Sequence, residues 1–241
     1  MRSTFAGLNT MVRGINANQL SLDTVGHHIS NAGTSGYSRQ SVNLAATNAQ
    51  EISSIYGNSV VGTGVDSTSI TRARNIYADK QYWKESSANS YYASRQTNYT
   101  KVEAVFNDSD NTGVQNAMTD FYKTWSDLST SASTSSNRTA VIEKGKTFAD
   151  RVSTAATQMQ NQITANYDDL KLNVDKVNDI TSQIVTLNKN IASLEASGAT
   201  ANDLRDQRDN LADQLSTYTN INVYADSHGM YTIVSIGNSL V

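Results

Sequence analysis

Ser30 to Gln40 reads SNAGTSGYSRQ, and this stretch separates two kinds of pattern in the chain. Before it lies one amphipathic segment, Ser3 to Ile29. After it come a Gly-punctuated, strand-like region and then a long helical array. The stretch itself reads as a stop at the end of a helix. Asn31 and Gly33 suit a C-terminal cap, because a residue just past a helix often takes positive φ. Ser35-Gly36 is a turn pair. From Tyr37 to Leu44, Val42 and Leu44 stand two residues apart, which is the spacing of a strand. Taken alone, this is an ordinary helix–turn–strand corner.

Toward the N-terminus, Ser3 to Ile29 carries a seven-residue repeat. Phe5, Val12, Gln19 and Gly26 fall at one position, and Leu8, Ile15, Leu22 and Ile29 at the other. Met11 and Val25 widen the stripe, while Gln19 and Gly26 weaken it toward the C-terminal half. Such a seam packs against another helix. The partner is either a distant part of the same chain or another subunit, and a core helix of the same domain fits the pattern equally well.

Toward the C-terminus, Gln40 to about Thr71 is punctuated by Gly57, Gly62 and Gly64, and reads as loops with two or three short strands. Gly57-x-x-x-x-Gly62 is not a phosphate loop, because Thr63-Gly64 replaces the required Lys-Ser/Thr. Helix is expected from Ala73 to Phe106, with an imperfect aromatic stripe through Ile76, Trp83, Tyr91, Tyr92, Tyr99, Val102 and Phe106. Rings beside Arg72, Arg74 and Arg95 could stack on nucleic acid, but core and interface packing accounts for them more simply. Asp108 to Gly113 (DSDNTG) is a loop that lacks the distal Glu of a calcium site. A helix over Val114 to Leu128 puts Met118, Phe121, Tyr122, Trp125 and Leu128 on one face. Ser129 to Ser136 is a polar break, and Asn137 is a plausible N-cap for the next helix.

The longest element spans Arg138 to Ala196. Val141, Gly145, Phe148, Val152, Ala155 and Met159 follow three-four spacing, and Ile163, Leu170, Val177, Ile184 and Ile191 recur every seven residues. A second seam, Tyr167, Val174, Ile180, Leu187 and Leu194, drifts in side. A continuous helix here would be ~85 Å long, a rod-like body with a possible break at Ala165-Asn166. Ser197-Gly198 turns it into a hairpin. Asn202 is expected to cap a helix from Asp203 to Thr217 edged by Leu204, Leu211 and Leu215. Its charged string Asp203 to Asp209, with Arg205–Asp209 at i,i+4, reads as a solvated face. Asn220 to Val241 returns to strand periodicity, with a hairpin turning at Ser227-His228-Gly229.

Composition supports long helices over a compact enzyme. The 241 residues could make one large or two small domains. Hydrophobic content is 38% and proline is absent, where ordinary usage predicts about a dozen. An interior proline costs a helix ~3 kcal/mol, so long helices gain most from that absence. The net charge of −3 and the scattered Lys and Arg argue against nucleic acid. No run approaches the ~20 apolar residues of a membrane span. With no cysteine there are no disulfides or Cys-based zinc sites. The N-terminal pattern, broken by Asn9, Arg13, Asn16 and Asn18, lacks the apolar core of a signal peptide. His27 and His28 are adjacent on a helix and His228 sits in a turn. No nucleophile elbow or His-Glu-x-x-His accompanies them, so neither catalysis nor a metal or other cofactor is expected. His27 and His28 read as helix-end residues favoured by the C-terminal dipole.

Three separated strings resemble one family. An amphipathic N-terminal helix running into Gly36-Tyr37-Ser38-Arg39-Gln40 resembles the start of bacterial flagellar axial proteins. Rod and hook proteins typically continue Gly-Phe-Lys there, so the Tyr-Ser-Arg-Gln form points to the hook-associated protein 1 family at the hook–filament junction. Leu204-x-Asp206-Gln207-Arg208-Asp209 with a following Leu211, and the Gly229-x-Tyr231-x-Ile233 segment that ends in Ser239-Leu240-Val241, resemble the same family. The resemblance implies a structural part of the flagellum that is not an enzyme. It would be secreted without a cleaved signal by type III export and would join hook to filament in the axial tube. Phe5, Leu8, Val12, Ile15, Leu22 and Ile29 would form its assembly interface, with Gly36, Tyr37, Arg39 and Gln40 as the turn motif. The implied partners are other copies of the chain, the hook protein, the next junction protein and an export chaperone acting on a C-terminal region. Neither nucleic acid nor membrane is implied. Family members tend to be disordered at the N-terminus until assembled, and they continue to a C-terminal helix that pairs with the first. This sequence is therefore expected to be an N-terminal portion.

The expected fold is mainly α: an elongated helical bundle or coiled coil with long antiparallel helices. Short β-strands or hairpins follow the first helix and end the chain. Residues 1–36 would be the assembly helix, 37–72 a connector and 73–241 the helical body. The alternative is a non-flagellar coiled-coil interaction module, such as a sensory or adhesin rod. It explains Arg138 to Ala196, but it leaves the strand region after Gln40 and the drifting second seam unexplained.

Overall fold

The structure, a computed structural model, describes residues 5–54, 57–106 and 113–241. Much of the DSDNTG loop and the start of the first helix lie outside these. The fold is mainly helical, with short antiparallel strands after the first helix and at the C-terminal end. Helix α1 spans Ala6–Asn31. Its end differs from the predicted cap. Ala32 closes the helix in the right-handed region with its N–H on Ile29 O, and Gly33 does not take positive φ. Successive turns, Thr34 N to Asn31 O and Tyr37 N to Thr34 O, carry the chain to Gly36, which adopts φ +80°. The reversal is therefore delayed by three residues.

Four strands follow among the described residues, against two or three expected: β1 Gln40–Ala46, β2 Gln50–Ser54, β3 Gly57–Val61 and β4 Val65–Arg72. They form two hairpin layers in series. β1 pairs antiparallel with β4, with a register shift between Asn43 and Leu44, and β2 pairs with β3 beyond them. Most of these side chains are exposed, which explains the weak alternation in the sequence: polar residues occupy both faces.

Helices α2 Ile76–Phe106, α3 Val114–Thr130, α4 Ser135–Glu195 and α5 Asn202–Tyr218 come next. Helix α4 is continuous over 61 residues, so the expected break at Ala165-Asn166 is absent. There Asn166 Oδ1 accepts a hydrogen bond from Gln162 Nε2 along the helix surface at 3.1 Å. Asn137 lies inside the first turn and not at its cap; its amide reaches back to Asp127 O and Ser131 O. Strands β5 Ile221–Ala225, β6 Tyr231–Ser235 and β7 Asn238–Ser239 close the chain as an antiparallel sheet in the order β5-β6-β7.

The chain divides into two compact units, Met1–Ser87 with Asn178–Val241, and Ala88–Val177. The first holds the denser core. Trp83, Ile184, Ile191, Leu215 and Ile233 are fully buried there, with Ile180, Ala212, Ile221 and Val223 around them. The inward residues of β5 and β6 alternate, as a sheet with one covered face requires. In the second unit Phe121 stacks on Phe148 at 6.1 Å, and Gly145 lets that pair approach, since a Cβ would lie 3.2 Å from Phe121. Packing there is thin. Met118, Tyr122 and Trp125 of α3 are exposed, and so are Tyr91, Tyr92 and Tyr99 of α2. Of the aromatic rings expected to pack in α2, Trp83 alone is core. Arg95 instead lies between Tyr91 and Tyr99, hydrogen-bonded to both hydroxyls.

Candidate functional site

The first helix shows an inversion of the usual arrangement. At about 100° per residue, Phe5, Leu8, Val12, Ile15, Leu22 and Ile29 share one side of α1. Thr10, Arg13, Ala17 and Thr24 share the other. It is this second, polar side that lies against β1 and β4. Ala17 and Thr24 are buried there. Thr10 Oγ1 lies 3.4 Å from Thr63 O and Arg13 reaches Asp66 at 3.3 Å. The apolar side faces outward: exposure runs from 44% at Val12 to 74% at Ile29, with Met11 and Val25 also open. A helix that served its own domain's core would bury that side. Here folding leaves it exposed.

The C-terminal end of α1 is fastened by a second constellation. Asp203, Asp206, Asp209 and Asp213 recur every three or four residues on α5 and meet residues from both earlier segments. Ser38 N donates to Asp206 Oδ2 at 2.8 Å. Gln40 Nε2 donates to Asp203 Oδ1 at 2.9 Å, and Gln40 Oε1 accepts from Asn202 Nδ2 at 3.1 Å. Gln40 N donates to His28 Nε2 at 3.0 Å, which requires the imidazole to be unprotonated at that nitrogen. His27 lies 3.4 Å from Asp203, and both histidine rings meet Tyr37. Gly36 packs so closely on α5 that a Cβ would sit 2.8 Å from Asn210 Cβ. Arg39 is exposed on its side chain while its carbonyl accepts from Ala73 N. Gly36, Tyr37 and Gln40 thus meet α5 or the end of α1, and Arg39 does not.

Behind this contact the charges are buried, which corrects the expectation of a solvated face. Asp206, Arg208 and Asp209 are at most 5% exposed. Arg72 Nη1 reaches Asp206 and Asp209 at 2.7 Å each. Arg74 reaches Asp79 at 2.8 Å and Asp209 at 3.4 Å. Trp83 Nε1 donates to Asp213 at 2.6 Å. Burial pushes the Asp213 carboxyl up, and the Trp83 hydrogen bond and Arg74 pull it back. The Arg208 guanidinium lies 3.6 Å above the Tyr231 ring, and its Nη1 donates to Asn188 Oδ1 and Gly229 O. Asn202 is likewise not a cap. Ala201 holds that position, and the Asn202 amide is drawn inward to Gln40 and to Ile70 O. Sequence reasoning missed these roles because each partner lies far away in the chain. The available signal was the recurrence of Asp206, Asp209 and Asp213 at i, i+3 and i+7, the positions of a buried stripe.

Arg205 does not pair with Asp209 but with Glu195, through two bonds of 2.7 Å across the α4–α5 turn. The Arg205 hydrogen bond, opposed by burial, holds the Glu195 carboxyl below its ordinary value. A carboxylate depressed on folding stabilises the chain above its unfolded pKa, and that contribution is lost as pH falls through the folded value. Glu195→Gln is therefore expected to reduce the acid-side fall in urea midpoint below the ordinary glutamate range. An unaltered pH slope would count against the pair.

Among the described residues no cluster of His, Asp and Glu is arranged to hold a metal. No described helix is long and apolar enough to cross a membrane. Fold and site together define a class: a helix-dominated protein whose N-terminal helix is tied down by its polar side and presents its apolar side outward. A family model, the flagellar hook-associated protein FlgK helical domain, matches residues 99–241. Flagellar hook-associated protein 1 of Bacillus subtilis (strain 168) is 34% identical over 246 residues, covering 98% of this chain and 47% of the relative. That of Escherichia coli (strain K12) is 27% identical over 237 residues, covering 97% and 42%. The solved flagellar hook junction protein FlgK from Burkholderia pseudomallei aligns with a TM-score of 0.57 at 26% identity, over 67% of this chain and 28% of that one. The chain belongs to the flagellar hook-associated protein FlgK family. It spans about half the length, or somewhat less, of the curated relatives it matches.

Proposed function

We propose that the chain is a structural component of the bacterial flagellum that joins hook to filament by subunit–subunit packing in the axial tube. The observation that carries this reading is the outward apolar side of α1, in a family whose members are named for the hook and its junction. In this reading residues 1–36 are the assembly helix, 37–72 its connector and 73–241 the body. The partners are further copies of the chain, the hook protein and the next junction protein. Export proceeds through the flagellar type III apparatus to the cell exterior, with a chaperone acting on a C-terminal region. The work is mechanical, and no catalytic role is assigned. Burying one of these exposed side chains against a neighbouring helix is worth ~1.5–3 kcal/mol per subunit, and an unpaired carboxylate in its place adds a desolvation cost.

Ile15→Asp, introduced in flagellate cells, is expected to abolish incorporation while leaving residues 138–217 folded. Asn9→Asp, outside the apolar side, serves as control and is expected to incorporate. Normal incorporation of the Ile15→Asp chain, seen by labelling isolated hook–basal bodies, would sink the assignment.

A further inference from the structure

β5 is an edge strand, and its surroundings favour a specific kind of guest. Asp226 N donates to Met230 O at 3.0 Å, in register with the β5–β6 ladder. Antiparallel alternation therefore turns the backbone groups of Asn222 and Tyr224 toward β6, and those of Ile221, Val223 and Ala225 away from it. The strand, through Ile221 to Tyr224, lines a cavity of about 460 Å³ whose other wall is α2, through Lys80, Trp83 and Lys84. That volume lies within the ~300–1,000 Å³ of ordinary ligand clefts. Trp83 is held by Asp213, so the apolar floor is fixed. Lys80 and Lys84 are one helical turn apart on that wall, exposed, and neither appears in an ion pair among the described residues.

We propose that this edge is a docking site for an extended, acidic polypeptide segment, which adds as a strand beside β5 with its carboxylates toward Lys80 and Lys84. Strand addition takes its affinity from main-chain hydrogen bonds and its selectivity from the adjoining side chains. The outward N–H and C=O groups of Ile221, Val223 and Ala225 supply the first, and the two ammonium groups the second. Lysines beside a sheet edge also repel unwanted pairing. A second copy docking edge to edge would set lysine against lysine, whereas an acidic strand meets opposite charge. The guest is therefore a partner segment and not another β5. The role is independent of the apolar side of α1, and it stands or falls apart from the flagellar assignment.

The test uses the isotope-labelled 241-residue chain and a blocked hexapeptide alternating glutamate and valine. Saturable binding is expected, with slowed amide exchange at Ile221, Val223 and Ala225 and unchanged exchange at Asn222 and Tyr224. Lys80→Glu with Lys84→Glu is expected to weaken binding about tenfold or more. Far-UV circular dichroism identical to that of the parent shows that the fold is retained. Raising salt should weaken the parent's binding and should not weaken the variant's, because there it screens a repulsion between the introduced glutamates and the peptide's carboxylates. The proposal is overturned if a lysine–valine hexapeptide binds equally well. It is also overturned if protection fails to follow the outward residues, or if protection grows with protein concentration in the absence of peptide, which would mean self-pairing.

Discussion

Asp209→Ala is expected to cost the first compact unit about 3–5 kcal/mol, because it strips a carboxylate from a site where guanidinium groups are already desolvated. Asp209 Oδ2 accepts from Arg72 at 2.7 Å, with Arg74 at 3.4 Å and the buried Arg208 adjacent. Removing it leaves Arg72 with Asp206 alone and leaves Arg74 with Asp79 at 2.8 Å and Asp213 at 3.6 Å. Water cannot compensate, since the Asp209 side chain is 1% exposed. The contrast is Lys146→Ala. Its pair with Glu143 is 2.9 Å long, but both side chains are more than 60% exposed. Solvent screening limits such a pair to a few tenths of a kcal/mol. Trp83 belongs to the first unit and Trp125 to the second, so urea titration of fluorescence in a Trp125→Phe background reads the relevant unit alone. An Asp209→Ala midpoint as near the parent's as that of Lys146→Ala would mean that the buried ion network does not hold the unit together.

Gly36→Ala is the second large effect, and two separable terms produce it. A residue with a Cβ at φ +80° carries a conformational cost of ~1–2 kcal/mol. The added Cβ also falls 2.8 Å from Asn210 Cβ and 3.0 Å from its Cγ. The Asn210 Cβ is fixed by the helix backbone, so no side-chain rotation clears it. Overpacking of this kind costs ~1–3 kcal/mol, and here it prises Tyr37 to Gln40 away from α5. Asn210→Gly should relieve the second term and not the first, apart from its own helix penalty of about 1 kcal/mol. A double-mutant cycle is therefore expected to show coupling of ~0.5–3 kcal/mol. Strict additivity would mean that the contact between Gly36 and α5 is not close in solution.

The course of the chain is legible in the sequence wherever apolar residues recur with the period of an element, whether or not that side is buried. The seven-residue recurrence marks α1, three-four spacing marks α3 and α5, and alternation marks β5 and β6. Continuity of α4 is less so, since Ala165-Asn166 is locally weak and only the surrounding helix holds it. The charges of α5 look solvated in sequence for a definite reason. Asp206 and Asp209 find Arg72 across 134 and 137 residues of chain, and no local rule distinguishes such a carboxylate from a solvated one. Asn202 resembles a cap on the same ground, because its partners Gln40 and Ile70 lie 162 and 132 residues away. In physical terms, the two family strings Gly36–Gln40 and Leu204–Leu211 belong to one contact. Each supplies what the other needs: the first brings the Ser38 N–H and a close-packed glycine, the second the Asp206 carboxylate and Asn210. The side of α1 that touches the rest of the fold is also hidden in the sequence. A polar side that is covered while the apolar side stays open reverses the usual inference from amphipathicity, and only the position of β1 and β4 reveals it.

If α1 is fastened most firmly at its C-terminal end and keeps its apolar side exposed to a partner, its two ends should differ in protection. Hydrogen exchange on the monomeric 241-residue chain measures that difference. Rapid exchange is expected through the first turns of α1, with protection rising toward Gln40 where α5 takes hold, and strong protection across 202–217. Uniformly strong protection along all of α1 in a chain shown to be monomeric would contradict this, because the helix would then be buried within its own subunit.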